Sequence, residues 1–456
     1  MQQASEIPIN LGNKPDWQIR LGYPQLLNMF VGDAGYLYST PGKTKISENA
    51  PDENCRQIFR SPFMGGVNFV VTPTQVLRIY DDGTFDIIGT ITNSGMAVQI
   101  EDNQQAQIII VDGRNAYVFD QNTEVFTKLS LVANGFDLDN PIAVAVINDI
   151  AYVLDSSGKL QCSDPNNFLT FPVLDFVPNI SSESTQAVGL ETLKNNLYIF
   201  GTTGIDRWVP SSGNNPYVYP ISKDESYHQD LGAVSTNGIV RGVNEIYFLS
   251  SQYVPMSLTL QGLTELVQPT EGIARIMSQY VDSDKCEVSF FQWKGNYFCT
   301  YCFQSQNVCW VYSVKSKTFS FWDDIIISAL NDFETIGTPD GVFKLNLEVD
   351  YKHRGWISGL NRLYKGSAPN RQMLNNVEVQ MIQGLNQLNN PQKLSLTLSL
   401  DTETWTNTVD EVIGATGERN ALTIWGMGIA AQEVVYRVDY YGALDLTISK
   451  ITVTIT

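Results

Sequence analysis

Residues 195–210 read NNLYIFGTTGIDRWVP: a short apolar strand, a turn, and a second strand that carries an aromatic residue. Apolar strands of this kind recur along the chain and begin at residues 66, 106, 148, 195, 244 and 295, with a weaker copy at 341. The starts lie 40, 42, 47, 49, 51 and 46 residues apart. A period of about 40 to 50 residues with several short strands per unit is typical of β-propeller blades. The sequence therefore predicts an all-β fold built on a β-propeller of six or seven blades.

The segments between the repeats are expected to join and close the propeller. Turn dipeptides such as Asp82-Gly83 and Asp112-Gly113 favour tight hairpins, because glycine tolerates the positive φ that these turns need. We expect residues 36–40 (YLYST) to supply a strand that closes the ring. Residues 272–282 place Ile273, Ile276, Met277 and Tyr280 at helical spacing, which predicts a short amphipathic helix between two blades.

The pattern changes after about residue 350. Residues 354–375 are mildly basic and read as a connector, and from Val377 the apolar residues alternate over long stretches. Leu394, Leu396, Leu398 and Leu400 are expected on one face of a strand, which is typical of an antiparallel β-sandwich. The predicted division is 1–60 N-terminal arm with the ring-closing strand, 61–350 β-propeller, 351–376 connector and 377–456 C-terminal sandwich-like β domain.

Charge and hydropathy exclude several classes of protein. The chain has 48 acidic and 29 basic residues, a net charge of -19, and no two Lys or Arg residues are adjacent. A protein that grips nucleic acid needs a basic footprint to neutralise phosphates. No secretory signal is visible in MQQASEIPIN, and no apolar run approaches the ~18 residues of a membrane span. We expect a soluble protein synthesised in a cytoplasm.

Residues that ligate metals are few and poorly spaced. The six cysteines (Cys55, Cys162, Cys286, Cys299, Cys302 and Cys309) are too sparse for a disulfide framework, so buried free thiols are expected. Cys299 and Cys302 form a C-x-x-C inside a predicted strand, where residues three apart point to opposite faces and cannot chelate one metal. His228 and His353 lack a second ligand at metal spacing and are expected to be isolated surface residues. No metal and no cofactor is predicted.

The remaining motifs are weak as catalytic sites. The chain has no phosphate-binding loop and no nucleophile elbow, and Gly65-Gly66 precedes a strand and not a helix. Asp81-Asp82 and Asp323-Asp324 are acid pairs that a glycosidase could use, but acids beside hairpin turns are ordinary turn formers. Residues 137–140 (DLDN) lack the glycine and distal glutamate of an EF-hand loop. No catalytic residue is assigned, and the protein is predicted not to be an enzyme.

Three stretches resemble a known family, the tail hub or nozzle proteins of short-tailed lambdoid phages, also called packaged-DNA stabilisation proteins. Asn28-Met29 is followed by GYLYSTPGKTK at residues 35–45, which is similar to the family pattern G-Y-L-x-S-x-P-G-x-T-K. Residues 189–208 resemble a second pattern, and the short helix after residue 272 fits the family's inter-blade helix. The second pattern is matched by Thr192, Phe200-Gly201, Thr202-Thr203, Ile205, Asp206 and Trp208.

The resemblance implies a virion protein and no enzyme. It implies a ring of six copies beneath the portal and adaptor, which extends the DNA channel, retains packaged DNA and receives a tail needle or plug and the tailspikes. DNA passes through such a ring without sequence-specific binding. Interface residues cannot be assigned from the matches, and none is named.

Two other functions stay open at the level of sequence. The first is a propeller-type tail protein that binds a glycan or receptor, for which clustered exposed aromatic residues would be the structural sign. The second is a glycoside hydrolase, which needs two carboxylates roughly 5 to 9 Å apart in a cleft.

Overall fold

Seven short sheets dominate the computed structural model of the chain. The structure describes residues 3–6, 26–32, 35–46, 54–172, 176–177, 186–211, 220–266, 271–280, 282, 285–330, 334–346, 352–357, 361–362, 372–383, 392–400, 404–413, 422–431, 433–442 and 446–456. Each of the seven has four antiparallel strands; six are separate sheets and one is part of a larger sheet, and we call them blades 1 to 7. Within the described residues, no helix has the length and apolar character needed to cross a bilayer.

Apart from Gly42–Lys45, the last strand of blade 7, the strands of the seven blades follow one another along the chain. Blades 1 and 2 comprise Gln57–Arg60, Asn68–Val71, Gln75–Ile79, Phe85–Thr90, Gln99–Asp102, Gln107–Val111, Ala116–Asp120 and Val125–Lys128. Blades 3 and 4 comprise Pro141–Ile147, Ile150–Asp155, Leu160–Cys162, Phe176–Val177, Ala187–Leu193, Asn196–Gly201, Ile205–Pro210 and Ile221–Gln229. Blades 5 and 6 comprise Ile239–Arg241, Ile246–Leu249, Pro255–Thr259, Gly262–Glu265, Glu287–Trp293, Asn296–Phe303, Val308–Ser313 and Thr318–Trp322. Blade 7 comprises Ser328–Leu330, Thr335–Thr338, Gly341–Asn346 and Gly42–Lys45.

The blades close into a ring, and the all-β propeller is confirmed with seven blades. The first strand of each blade contacts the first strand of the next, and that of blade 7 contacts that of blade 1. Apolar clusters fill the gaps between neighbouring blades, as between blades 1 and 2 (Phe69, Ile108, Phe119). The apolar strands that mark the repeat in the sequence are the second strands of blades 1 to 6. These strands give the strongest signal because they lie inside a sheet that is covered on both faces.

The ring is closed by the N-terminal segment, but not by the residues expected. Gly42–Lys45 pairs antiparallel with Gly341–Asn346 and completes blade 7. The expected closing strand at 36–40 instead contains Leu37–Ser39, which pairs with the last strand of the chain. Leu37 is fully buried in the core of the C-terminal sandwich. The polar sequence GKTK suits the outermost strand of a blade, where side chains reach solvent.

Short helices connect some of the blades. The helix expected at 272–282 is Glu271–Met277, between blades 5 and 6, and Met277 is fully buried against blade 6. The other short helices among the described residues are Leu131–Asn134 and the 3-10 turns Thr236–Gly238 and Gln304–Gln306.

A two-sheet sandwich follows the propeller, and both ends of the chain build it. The first sandwich sheet runs Met29–Val31, Leu37–Ser39, Leu446–Ile455, Gln372–Gln383 and Leu422–Ala431, with Gln3–Glu6 also paired to Leu446–Ile455. The second sandwich sheet runs Leu26–Leu27, Lys352–Ile357, Glu433–Gly442, Gln392–Ser399 and Val409–Ile413, with Asn361–Arg362 also paired to Glu433–Gly442. Leu394, Leu396 and Leu398 are fully buried, whereas Leu400, predicted on the same face, lies beyond the strand and is exposed.

The sequence predicted a separate sandwich, but the sandwich is joined to the propeller. Leu26–Leu27 pairs in parallel with the outermost strand of blade 6, so blade 6 and the second sandwich sheet form one ten-stranded sheet. Asn28 fixes this junction: its side-chain amide donates to Asp323 Oδ2 at 2.5 Å, and its amide oxygen accepts from the backbone N–H of Asp323 at 2.9 Å.

Candidate functional site: the propeller axis

Charged side chains meet near the axis of the propeller. The first strands of the blades surround this axis, and three of them carry Glu101 (blade 2), Glu191 (blade 4) and Arg241 (blade 5). Arg241 Nη1 lies 3.9 Å from Glu191 Oε1 and donates to Thr192 Oγ1 at 2.6 Å. Glu191 also accepts the backbone N–H of Thr192 at 2.7 Å. Because blades 2 and 5 are not neighbours, the charges of Glu101 and Arg241 interact across the axis.

The surroundings perturb both carboxyl groups. Burial raises the pKa of Glu101 to about 7, an effect that the charge of Arg241 opposes and the charges of Glu191 and Asp102 reinforce. Burial also raises the pKa of Glu191, against the opposing effect of Arg241. The two acids raise the pKa of Arg241 in turn. Two carboxyl groups therefore share one guanidinium, and a proton on either of them relieves their repulsion.

A third half-buried acid lies where blade 6 begins. Glu287 opens the first strand of blade 6, and both of its carboxylate oxygens accept hydrogen bonds from the side-chain amide of Gln304, at 2.9 and 3.1 Å. Burial raises the pKa of Glu287 to about 7, partly offset by these hydrogen bonds. Burial and the charge of Glu287 together raise the pKa of Cys55, at the start of blade 1.

Sequence reasoning did not single out these acids. Glu191 and Glu287 are each the single acid of a mainly apolar strand, in GLETL and EVSFF, whereas Glu101 stands beside Asp102 in VQIED. An isolated acid in such a strand is the available signal, because burial of an unpaired charge is costly. The signal does not reveal which acids meet, since this depends on the order of the blades around the axis.

The acid pairs considered for a glycosidase make contacts within the fold. Asp81 pairs with Arg60 at 3.2 Å, and Asp82 accepts the backbone N–H and the hydroxyl of Thr84 in its hairpin turn. Asp323 holds Asn28, and Asp324 pairs with Lys43 at 2.7 Å. In the loop at 137–140, Asp137 pairs with Lys159 at 2.7 Å.

His228 was predicted to be an isolated surface residue. It lies at the surface, but it contacts two acidic side chains. Its Nδ1 lies 2.8 Å from Asp206 Oδ1, and its Nε2 lies 3.3 Å from Asp230 Oδ1. Lys223 reaches the other oxygen of Asp206 at 3.0 Å. Asp206 thus ties the outermost strand of blade 4 to the strand beside it. The backbone of His353 lies in Lys352–Ile357, and its side chain is outside the described residues.

The cysteines depart from the prediction at one pair. Cys302 and Cys309 are directly opposite each other on the second and third strands of blade 6 and form a disulfide, whereas free thiols were expected. The sequence could not indicate this pairing, because a seven-residue separation is decided by the hairpin register. Cys55, Cys162, Cys286 and Cys299 are free and buried. Cys299 packs in the cluster between blades 5 and 6 and Cys302 in the cluster next to blade 7, so the C-x-x-C does point to two faces.

Within the parts of the chain that the structure describes, no three His, Cys, Asp or Glu side chains are placed to hold a metal ion. Most of the charged contacts above join strands or blades to one another. Together with the seven-bladed ring and its fused sandwich, they are typical of a rigid β-propeller scaffold.

Comparison with known proteins assigns this scaffold to a family. The model of the Phage_stabilise family, described as "Bacteriophage P22 Gp10, beta-propeller", matches residues 23–322. The chain belongs to this family, which confirms the resemblance seen in the sequence. The match ends before the sandwich strands that begin at Lys352. No curated protein matches the chain.

Solved structures are similar in part. A catalytically inactive virginiamycin B lyase from Staphylococcus aureus, solved with quinupristin, is 12% identical over 67% of this chain and 99% of its own length, with a TM-score of 0.47. The extracellular domain of a protein described as a hybrid two component system from B. thetaiotaomicron is 12% identical over 74% of this chain and 43% of its own length, with a TM-score of 0.46. At these values no function is transferred.

Proposed function

We propose that this chain is a structural subunit of a phage tail that forms the hub or nozzle ring below the portal and adaptor. The family match over residues 23–322 carries the proposal. In this role a ring of six copies extends the DNA channel, retains the packaged genome, and attaches the tail needle or plug and the tailspikes. The subunit is synthesised in the host cytoplasm and ends in the virion tail, where it acts during genome ejection.

The continuous sheet through blade 6 and the sandwich supports a role in which the subunit withstands mechanical force. A linker of a few residues would let two domains move, whereas here Leu27 pairs with Phe321 of blade 6 and with Gly355 of the sandwich. The junction is also fixed by the side-chain contact of Asn28 with Asp323. A subunit that must seal pressurised DNA benefits from this rigidity.

The net charge of -19 supports a conduit that DNA passes without adhering. Like charges on the channel wall and on the phosphates keep the duplex from binding. Replacing acids that line the ring lumen by lysine is expected to slow genome ejection. Unchanged ejection kinetics would contradict this part of the proposal.

We further propose that the subunit has no catalytic activity. The acids considered for glycoside hydrolysis are engaged in ion pairs and turns, and the acids at the axis share the guanidinium of Arg241. A hydrolase would instead have one carboxyl group as acid and the other as nucleophile or base beside a sugar cleft. Incubation of purified particles with host glycans, followed by a reducing-end assay, should detect no product.

The proposed function is tested by blocking expression of this chain during infection, imaging the particles and measuring their DNA. The expected particles have full-size heads that package DNA and then lose it, and they lack tails. Restoring the chain from a plasmid should restore both tails and DNA retention.

The opposite outcome is equally informative. Complete tailed particles that keep their DNA but fail to adsorb would reject the hub. That result would favour the glycan- or receptor-binding alternative, which a glycan array then tests directly.

A further inference from the structure

The two sheets of the sandwich differ sharply in charge. The three strands Gln372–Gln383, Leu422–Ala431 and Leu446–Ile455 of the first sheet have 12, 10 and 10 residues and carry only two charged side chains, Glu378 and Lys450. Both of these side chains lie on the outward side and are opposite in sign, so this side carries no net charge; we call it the uncharged sheet face. Its inward side is the sandwich core, where Val377, Trp425 and Val453 are buried.

The second sandwich sheet is charged along most of its strands. Four of its strands, together shorter than the three above, carry eight charged side chains: Lys352, Arg354, Lys393, Asp410, Glu411, Glu433, Arg437 and Asp439. Several of these pair within the sheet, such as Lys393 with Asp410 at 3.2 Å and Arg437 with Asp439 at 2.6 Å. The depletion of charge on the first sheet is therefore a local property and not a feature of the whole domain.

The uncharged sheet face presents mostly polar, uncharged residues to the outside, together with a few apolar and small ones. Met373 and Ile382 keep 43% and 53% of their surface exposed. Gly426, Gly428 and Ala430 are exposed on Leu422–Ala431, which among the described residues pairs with Gln372–Gln383 on one side only. Edge strands of soluble proteins commonly carry charged residues or proline that block further pairing, and this strand carries neither. The left-handed φ of Gly428 allows a local register shift opposite Leu374.

We propose that the uncharged sheet face, with the edge strand Leu422–Ala431, is the surface on which a second copy of this chain docks. The inference rests on the proposed ring. Two copies that each carry a charge of -19 repel each other over most of their surfaces, so contact is least costly where the net charge is zero. A basic partner would instead be drawn to the acidic surfaces elsewhere.

The size of the face agrees with this role. Three strands of about ten residues, at 3.4 Å per residue and 4.8 Å between strands, offer roughly 500 Å². A standard protein interface buries about 800 Å² per partner, so the face supplies more than half of one. Depletion of charged residues is also what distinguishes the centre of an interface from its rim.

The test adds two lysines to the edge strand, in the double variant G426K/A430K. Both positions are exposed, and a side chain at Gly426 meets no atom within 4 Å and needs no left-handed backbone. The matched control is V409K/V412K, on the exposed edge strand of the charged second sheet. Both variants lower the net negative charge equally, so a general charge effect would strengthen self-association in both.

The full-length chain is expressed in infected cells in a tagged and an untagged copy, and the untagged copy recovered with the tagged one is measured. With G426K/A430K in both copies, recovery should fall at least tenfold, whereas V409K/V412K should leave it unchanged. Circular dichroism and thermal melting of the purified variants establish that both are folded.

Each other outcome is decisive. Unchanged or increased recovery with a folded G426K/A430K protein overturns the inference and leaves the ring intact as a proposal. If the copies still associate but a different virion protein is no longer recovered with them, the face belongs to that protein and the inference is also overturned. If wild-type copies do not associate at all, the ring itself fails and this inference fails with it.

Discussion

Single acidic residues serve two distinct purposes in this protein. At the axis, Glu101 and Glu191 lie half-buried near Arg241, and desolvation raises the pKa of both. In the turns, acids are exposed and accept hydrogen bonds, as Asp82 does from Thr84, which lowers the pKa of Asp82. An ionised acidic side chain therefore lowers the stability of the fold at the axis and raises it in the turns.

The raised pKa of Glu101 predicts a stability that falls as the pH rises. A group whose pKa is about 7 in the folded chain and 4.5 when unfolded binds more protons when folded. Its stabilising effect is present below about pH 4.5 and is lost as the pH rises through 7, at no more than about 1.4 kcal/mol per pH unit. Melting temperatures of wild type and E101Q between pH 5 and 8 should show a shallower decline for E101Q. The variant E225Q, at an exposed position, should follow wild type; equal slopes for E101Q and wild type would contradict the assignment.

Among the elements, the closing strand of blade 7 has a particular task. Gly42–Lys45 comes from the N-terminal segment and is held in register against Gly341–Asn346. Lys43 adds a bridge to blade 6, through Asp324 at 2.7 Å, and its ammonium lies 4.8 Å from the centre of the Phe343 ring. The ring is thus fixed by residues that are about 300 positions apart in the chain.

Reversal of this ion pair should be measurable. The variant K43D places two acids together in a site where the side chains are 23% and 15% exposed, and we expect it to lower the free energy of unfolding by about 2 kcal/mol. The double variant K43D/D324K restores opposite charges and should recover part of this loss. Urea unfolding of the three proteins measures both effects. Failure of the second substitution to recover any stability would show that the pair does not fix the strand.

The hairpin of blade 6 carries the second element-scale prediction. The disulfide between Cys302 and Cys309 closes a short loop, and its removal is expected to cost about 2 kcal/mol. A reductant should therefore lower the melting temperature of the wild-type protein but leave that of C302S/C309S unchanged. A wild-type melting temperature that does not respond to reductant would mean that the two thiols are free, as expected from the sequence.

For the whole molecule, the shared sheet couples the two halves of the chain. The sandwich core contains Leu26, Met29 and Leu37 from the N-terminal segment alongside strands that follow residue 372. Blade 6 and the second sandwich sheet cannot separate without breaking the pairing of Leu26–Leu27 with its neighbours. Neither half is an independent unit in this arrangement.

This coupling predicts one cooperative unfolding transition. Differential scanning calorimetry of the isolated chain should record a single peak, and a chain truncated after residue 350 should be insoluble, because Leu26, Met29 and Leu37 lose their apolar partners. Two resolved peaks, or a soluble truncated propeller with a normal melting temperature, would contradict the coupling.

The sequence by itself determined the all-β class, the propeller and the family. The second strand of each blade lies in the interior of its sheet, so its residues are a nearly continuous apolar run that repeats at a readable period. The inter-blade helix and the alternating leucines of 394–398 were predictable for the same reason: a local pattern matches a local environment. The first strands of the blades were not evident, because several carry charged residues, such as Glu101, Glu191 and Glu287, that interrupt the apolar pattern.

Only the tertiary structure decided which distant residues meet. Leu37–Ser39 and Gly42–Lys45 are successive strands along the chain, and their separate destinations depend on which sheet offers a free edge. The axial group of Glu101, Glu191 and Arg241 exists because the ring brings three separate blades to one axis. The pairing of Cys302 with Cys309 depends on hairpin register, and the uncharged sheet face depends on which strands are neighbours. Local sequence sets the preference of each segment, whereas burial and pairing energies summed over the whole chain choose the partners.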